Sequence, residues 1–439
     1  MISSLLDEVG PWKFDYTTEL ERRGSLASIA AESIERPVHP NKHPEGSSRI
    51  MAALRIGIVG SRFAAHLHLL AYRRVYGVDL RLAGVTSPTA ERREAFSRES
   101  GATPYADLAA LLPHVDVIDV CSPPATHEPV ALQAIGAGKH VFIEKPFTGA
   151  FGSPGGTPEG KEALLRDALA SAERIVEAAR RRGVVLAYAE NWIYAPAVQK
   201  EREIVEKTDA QILWMVGGES HSGSHSPVYG IWRHSGGGSL VGKGCHPLTA
   251  CLYLKAVEGR ARGGRAIQPA TVSCRVHEIT RLPGYRDRGF LRTDYEDVED
   301  YSQLHVTFDD GTVADVFATE LVLGGVHNWL EVFANNHRTT CRLNPVNLLD
   351  TYNPEAGQFR DVYVVEKIGT KEGWSHPAAD EEWQQGFYAE IQDFVECCAG
   401  GRRPQSDADI ARDTVATLYA GYVSAQRKGE EVAVPGRAA

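Results

Sequence analysis

The chain has little of what would tie it to a membrane, a nucleic acid or an oxidising compartment. No apolar run approaches the ~20 residues needed to span a bilayer. Basic residues are in deficit, 47 Lys and Arg against 57 Asp and Glu, for a net charge of −10. That balance supplies no electrostatic drive toward nucleic acid or anionic lipid, so neither is expected as a partner. The seven cysteines are odd in number and form no Cys-x-x-Cys pair, and Cys397 and Cys398 are adjacent. Reduced thiols in a cytoplasmic protein are the expected state. The first ten residues lack a basic stretch followed by an apolar core, so no secretory signal is read there. There is no internal repeat.

What is present is the composition of an ordinary globular protein, 439 residues with 43% apolar and 24% charged side chains. That length implies roughly two or three domains. Residues 1–50 are polar and end in a proline-rich stretch, which reads as an extension closed by a linker. The first structured domain is expected over 51–148 and the second over 149–439.

The organising stretch is Leu54 to Val75. An apolar run, Ile56-Gly57-Ile58-Val59, ends at Gly60, and apolar residues at helical spacing follow, which predicts a buried parallel strand turning tightly into a helix. Such a junction offers unpaired backbone N–H groups to a phosphate. The turn Gly60-Ser61-Arg62-Phe63-Ala64-Ala65 meets the dinucleotide pattern in part, with Arg62 where a second glycine would let the backbone approach the pyrophosphate. Strands are expected over Val78–Val85, Val115–Val120 and Lys139–Glu144, alternating with helices over Thr89–Ser100, Leu108–Leu112 and His127–Gly138. This alternation predicts a doubly wound parallel sheet, a Rossmann-type domain. Ligands bind such sheets at the carboxyl ends of the strands. Gly60, Thr86, Ser87, the run Cys121-Ser122-Pro123 and Glu144-Lys145-Pro146 all fall there. Thr86-Ser87 replaces the acid that would bind the ribose of NAD, and Arg92 and Arg93 lie one turn into the next helix, so the cofactor reads as NAD or NADP.

Gly149 to Gly160 is a glycine/proline loop, followed by a helix over Glu162–Arg182 and a strand over Val184–Tyr188. From Ile212 to about Val365 the pattern favours strands, including a hairpin around Asp309-Asp310-Gly311. Helices are expected over Glu382–Cys398 and Asp407–Ala425.

Three stretches together resemble the glucose–fructose oxidoreductase / inositol dehydrogenase / rhizopine-catabolism (Gfo/Idh/MocA) family. They are the Gly60 turn with His68 in its helix, the run from His127 through Gly138-Lys-His-Val-Phe-Ile-Glu144-Lys145-Pro146, and Gly236-Gly-Gly-Ser-Leu-Val-Gly-Lys-Gly-Cys-His246. The resemblance implies an N-terminal Rossmann domain and a C-terminal α/β domain with an open, mostly antiparallel sheet. It also implies NAD(P)-dependent oxidation of a secondary hydroxyl on a sugar, cyclitol or glycoside, and dimers or tetramers formed through the open sheet face. Lys145 would polarise the reacting oxygen, and His246 would move the hydroxyl proton. Two acids of the family pattern are absent, with Gly242 and Thr249 in their places; Lys243 or Glu219 is the expected substitute. The nucleotide would rest on Gly60, Ser61, Arg62, Phe63, Ala64, Thr86, Ser87, Arg92, Cys121, Ser122, Pro123, His127, Glu144 and Lys145. Asn191, Trp192, Tyr194, Trp232, Arg233 and Lys243 suit a polyhydroxylated ligand, through aromatic faces and hydrogen-bonding groups. The histidines 221, 225, 234 and 246 beside Glu219 fit no fixed metal-ligand spacing, so a substrate loop is expected there and no metal. Two other readings fit the altered acids: glycoside cleavage through a transient keto-sugar with recycled NAD, and a non-catalytic nucleotide sensor.

Overall fold

The computed structural model describes residues 53–152 and 158–437. The N-terminal extension and residues 153–157 of the glycine/proline loop lie outside the described residues. Strands β1 (Leu54–Val59), β2 (Leu80–Thr86), β3 (Thr103–Tyr105), β4 (Val117–Val120), β5 (His140–Glu144) and β6 (Leu186–Ala189) form one sheet in the order β3-β2-β1-β4-β5-β6. Every pairing in it is parallel. Helices α1 (Phe63–Tyr72), α2 (Ala90–Ser100), α3 (Leu108–Leu111), α4 (His127–Gly136) and α5 (Pro158–Arg182) are the crossovers. Strands β4 and β6 are buried along their whole length, as expected when helices cover both faces and force a continuous apolar run. Because β6 comes from beyond residue 148, chain on both sides of the expected domain boundary builds this one sheet.

A second sheet has the order β12-β11-β7-β10-β9-β8-β15. Its strands are β7 (Ile212–Ser220), β8 (Pro269–His277), β9 (Tyr301–Phe308), β10 (Val313–Thr319), β11 (His327–Ala334), β12 (Arg338–Asn344) and β15 (Val432–Ala433). Only β7 and β10 pair in parallel; every other neighbour is antiparallel. Burial alternates residue by residue along β9 and β10, the period of a sheet covered on one face. The expected hairpin is there, closed at Asp309-Asp310-Gly311. A small ribbon, β13 (Thr351–Asn353) with β14 (Gly373–Ser375), lies outside both sheets.

One expectation needs correcting. The stretch read as strands from Ile212 onward contains α10 (Cys245–Gly263), after α6 (Asn191–Tyr194), α7 (Pro196–Thr208), α8 (Trp232–Ser235) and α9 (Ser239–Gly242). The first fifteen residues of α10, Cys245 to Gly259, are buried on every side. A helix enclosed all round shows no polar stripe, so its period is invisible in the sequence. Even its charges are interior: Lys255 Nζ meets Glu258 at 2.5 Å and Asp310 at 3.0 Å.

The last helices are α11 (Glu381–Gln384), α12 (Phe387–Gly400) and α13 (Ala408–Gln426). Helix α13 holds the glycine run of the resemblance in place: Tyr419 Oη donates to Gly236 O at 2.6 Å, and Gly238 N donates to Tyr422 Oη at 3.2 Å. A Cβ on Gly237 would stand 2.2 Å from Tyr422 Oη, so the run is glycine for packing. All seven cysteines are free. Among the described residues no helix is long and apolar enough to cross a membrane.

Candidate active site

The nucleotide side is built at the carboxyl ends of β1, β2, β4 and β5. Gly60 follows β1 with φ +126°, and a Cβ there would lie 2.5 Å from Cys121 O, so only glycine lets the β1 turn and the β4 end meet. Helix α1 begins with no side-chain cap and no acid in its first turn, which leaves its first N–H groups open to an anion. Ser61 Oγ donates to Ser87 Oγ at 2.9 Å and joins that turn to the end of β2. These features fit a dinucleotide phosphate, which the backbone of the Gly60 turn would hold. His127 serves differently from expectation. It is buried, its ring nitrogens face Pro146 O at 2.9 Å and Ser122 O at 2.8 Å, and it ties the β4 loop to the Lys145-Pro146 turn.

Glu144 is likewise turned inward. It meets His68 Nε2 at 3.1 Å and accepts from the Lys145 backbone N at 2.8 Å. His68 Nδ1 faces Asp119 at 2.8 Å, and Tyr72 Oη donates to the same carboxylate at 3.0 Å. Burial works against the His68 imidazolium, but the charges of Asp119 and Cys121 and the hydrogen bonds to them together outweigh it and hold the pKa well above the ordinary value. The result is a closed ionic cluster that fixes the backbone under Lys145.

Lys145 Nζ donates to Gly242 O at 3.1 Å and lies 5.6 Å from the Tyr229 ring centroid. Burial opposes its charge, but Tyr229, Cys245, Glu219 and Glu144 outweigh it and keep the ammonium protonated. His246, at the start of α10, is 5% exposed. Its Nδ1 makes a short hydrogen bond with Glu190, which directly follows β6, and Glu219 on β7 lies 3.6 Å from Nε2. Trp192 stacks on the imidazole at 5.9 Å and 16°. Burial raises the Glu219 pKa, while His246 and then Lys145 pull it back. One carboxylate is therefore coupled to both catalytic candidates.

The two missing acids are now accounted for. Gly242 offers its carbonyl to Lys145, and the space a side chain would enter borders the Tyr229 ring, 3.4 Å from a Cβ placed there. Thr249 points into the core, its hydroxyl bonded to Cys245 O at 2.7 Å and Thr414 at 2.9 Å. Glu190 and Glu219 surround the histidine instead. Lys243 does not replace them: it is buried, paired with Glu320, and 3.2 Å from Ser224 Oγ. That pair secures the loop 221–226, which Arg292 also grips through Ser224 O and Ser226 O at 2.9 and 2.8 Å. Lys367 donates to Gly223 O in the same loop, and burial lowers its pKa to about 8. His225 brings the loop to Phe63 of α1, with ring centroids 6.5 Å apart.

Several expected sugar contacts are packing residues. Tyr194 is buried, bonding Asp393 at 2.8 Å and Ser406 N at 2.9 Å. Trp232 is buried against Tyr422 and donates to Ala150 O at 3.0 Å. Asn191 Nδ2 donates to Gln385 O at 2.8 Å. Trp192 backs the imidazole, and exposed Arg233 bonds its neighbour His234 at 3.3 Å. Large aromatics beside polar groups fill an interior as readily as they line a sugar site, and their spacing does not separate the two. Sequence reasoning left Glu190, Asp119, Glu320 and Tyr229 without roles; for Glu190 the available signal was a carboxylate directly after a fully buried strand. The histidines 221, 225 and 234 form no metal-donor cluster among the described residues. The two sets that bring donor atoms within 4.8 Å are His68, Asp119, Cys121 and Glu190, Cys245, His246. In both, carboxylates already engage the histidine, and burial raises the thiol pKa.

A doubly wound sheet with an open helix start, with Lys145 and Glu190 at its carboxyl edge beside His246 of α10 and Glu219 of β7, is the arrangement of a dinucleotide-binding domain of the Rossmann type. Residues 54–159 match the family described as "Oxidoreductase family, NAD-binding Rossmann fold". That stretch of the chain matches the Gfo/Idh/MocA family model. It is similar to D-glucoside 3-dehydrogenase of Escherichia coli, 29% identical over 47% of this chain and 56% of that one. UDP-N-acetylglucosamine 3-dehydrogenase of Acidithiobacillus ferrooxidans is 35% identical over 22% of this chain and 30% of its own length. The chain thus spans about half or less of these two curated relatives. Among solved structures, GenD2 from gentamicin A biosynthesis, in complex with NAD, has a TM-score of 0.72 at 24% identity, covering 90% of this chain and all of that one. Levoglucosan dehydrogenase with NADH and L-sorbose has a TM-score of 0.64 at 20% identity, covering 88% and 100%. At these identities the structures confirm the fold.

Proposed function

We propose that this chain is a nicotinamide-dependent dehydrogenase acting on a secondary hydroxyl of a sugar, cyclitol or glycoside. The observation that carries the reading is the meeting of Lys145 and His246 around Glu219 at the carboxyl edge of the parallel sheet. When bound, the nicotinamide supplies the hydride acceptor or donor; the remaining chemistry belongs to the chain. The Glu190 contact sets the tautomer, with Nδ1–H donating to the carboxylate, so that Nε2 is free to accept the hydroxyl proton. The imidazolium formed is stabilised by Glu190. Lys145, protonated and held by Gly242 O, donates toward the alkoxide as it develops. Trp192 keeps the ring in plane, and the Lys243–Glu320 pair keeps the 221–226 loop over the pocket. The names of the relatives, two of them sugar 3-dehydrogenases, agree with this class of substrate.

The outer face of the second sheet exposes Trp214, stacked on Phe333 at 4.6 Å. We take that face as the contact between copies in a dimer or tetramer, to be checked by light scattering.

The test is a titration with NAD⁺, NADH, NADP⁺ and NADPH, then absorbance at 340 nm against a panel of sugars, cyclitols and glycosides. Binding with a substrate-dependent signal supports the dehydrogenase. Binding with glycoside cleavage and no net 340 nm change replaces it with the recycling reaction. Absence of binding overturns both.

A further inference from the structure

Burial along the second sheet follows a period of two, and the core-facing positions of β11 read Asn328, Leu330 and Val332. Asn328 thus takes a place that the pattern gives to an apolar residue, and it is 4% exposed. In the ladder it stands directly opposite Glu219 of β7 on one side and Asn344 of β12 on the other. The register slips between Asn328 and Trp329, so that Asn344 and not Leu343 fills the opposite position. A bulge of this kind re-aims a side chain beside a site. Residues directly opposite share a face, with Cβ atoms about 5 Å apart. The three therefore form one polar row on the side of the sheet where Glu219 meets His246. Beyond Glu219 the next strand offers only Ala318, and the row runs one way. Each member keeps an oxygen that is buried without a hydrogen bond: Glu219 Oε2, Asn328 Oδ1 and Asn344 Oδ1. The far end is anchored, because Asn344 Nδ2 donates to Glu381 Oε1 at 2.9 Å. Between the two, Asn328 makes no side-chain hydrogen bond among the described residues.

A buried acceptor left unpaired carries the full cost of its desolvation, whereas an apolar side chain of the same shape would not. Three such oxygens on neighbouring strands, beginning beside the proton acceptor, suit a ligand that brings its own donors. We propose that Asn328 is a specificity-determining residue that binds the hydroxyl on a carbon next to the one oxidised, so that this chain selects substrates with hydroxyls on adjacent carbons. The proposal rests on the dehydrogenase reading above and names the feature of the substrate that the site reads. In that reading the reacting hydroxyl lies between Lys145 and His246 Nε2, and Glu219 borders it, 3.6 Å from that nitrogen. A ring extending along the row from there presents its next hydroxyl to Asn328. The amide offers both a donor and an acceptor, the pair that a hydroxyl uses. A substrate with hydrogen in place of that hydroxyl leaves the amide unpaired in the complex, and sites built this way reject the deoxy compound.

The experiment is steady-state kinetics of the full chain on the compound of the sugar, cyclitol and glycoside panel with the highest kcat/KM. That compound is compared with its two derivatives lacking one hydroxyl beside the oxidised carbon; for a glucoside oxidised at C3 these are the 2-deoxy and 4-deoxy compounds. The expected result is a loss of about tenfold to a hundredfold in kcat/KM for one of the two, the worth of one buried hydrogen bond. Asn328→Leu should raise KM for the complete substrate by a similar factor and keep kcat within a few-fold. It should also treat that deoxy derivative and the complete substrate alike. Its melting temperature should equal or exceed that of the parent, since an unpaired amide gives way to an apolar group of like shape. Equal kcat/KM for all three compounds with the unaltered chain overturns the proposal, without recourse to a variant, and leaves the dehydrogenase reading standing. So does an Asn328→Leu chain with the parental KM and the parental discrimination, which would make the row a packing feature. Failure of the whole panel to change the absorbance at 340 nm overturns the dehydrogenase reading, and this one with it.

Discussion

His68 and His246 sit in matching surroundings, each imidazole between two carboxylates and each almost wholly buried. Around His68 both ring nitrogens are engaged, by Asp119 at 2.8 Å and Glu144 at 3.1 Å, and nothing is exposed. Around His246 only Nδ1 is engaged, by Glu190, while Nε2 stands 3.6 Å from Glu219, outside hydrogen-bond reach. A closed cluster holds its charge and fixes the backbone; an open one retains a nitrogen for a substrate proton. The two histidines differ by one uncommitted ring nitrogen, which the role proposed for His246 requires.

The comparison breaks most visibly at His246. His246→Ala should lower kcat per folded molecule by about 10²–10⁴-fold, the usual share of general acid–base catalysis, while dinucleotide affinity stays close to that of the parent and stability falls because Glu190 stays buried without its partner. A variant that lost cofactor binding as well would make His246 structural.

His68→Leu should do the reverse, because it leaves Asp119 and Glu144 buried without their cation. A destabilisation of about 3–5 kcal/mol is expected in denaturant titrations, with kcat per folded molecule changed only a few-fold. Unchanged stability with lost turnover would assign His68 to the chemistry.

Glu190→Gln tests the positioning of Nδ1, with a smaller expected loss on the order of 10–10²-fold in kcat. A loss of stability with kcat per folded molecule unchanged would mean that Glu190 only supports the fold.

The smallest effect is a pH dependence. Burial pushes the Glu144 pKa up, but the hydrogen bond and charge of His68 together with Lys145 outweigh it and leave the value low. The Glu144 contribution is thus present above the ordinary ~4.3 and lost as pH falls through the lowered value. The His68 contribution is complete below the ordinary ~6.5 and lost as pH rises through the raised value. The stability advantage of the parent over His68→Leu should be greatest between roughly pH 4.3 and 6.5 and shrink toward alkaline pH. An advantage that grows above neutrality would mean that His68 is held neutral.

Much of the nucleotide side was legible because its signals are local. Alternating apolar runs and helical spacing reproduce β1, β2, β4 and β5 within a few residues, since a strand buried on both faces must be apolar throughout. Helix α10 was not legible for the same reason: enclosed on all sides, it carries no contrast between faces. Lys145 and His246 were visible through the stretches around them, but Trp232 and Tyr194 misled. A buried aromatic with a satisfied polar atom has the same letters as a sugar platform.

By itself the sequence determined the parallel domain, the β1 turn, the loss of an acid after β2 and the two catalytic candidates. Each rests on neighbours within one βα unit or one short run. Only the tertiary structure decided which carboxylates serve His246, since Glu190 lies 56 residues away and Glu219 arrives on a strand of the other sheet. It likewise decided that Lys243 is committed to Glu320. Such pairings are set by how two sheets and an enclosed helix cross, and no local period in the chain records that crossing.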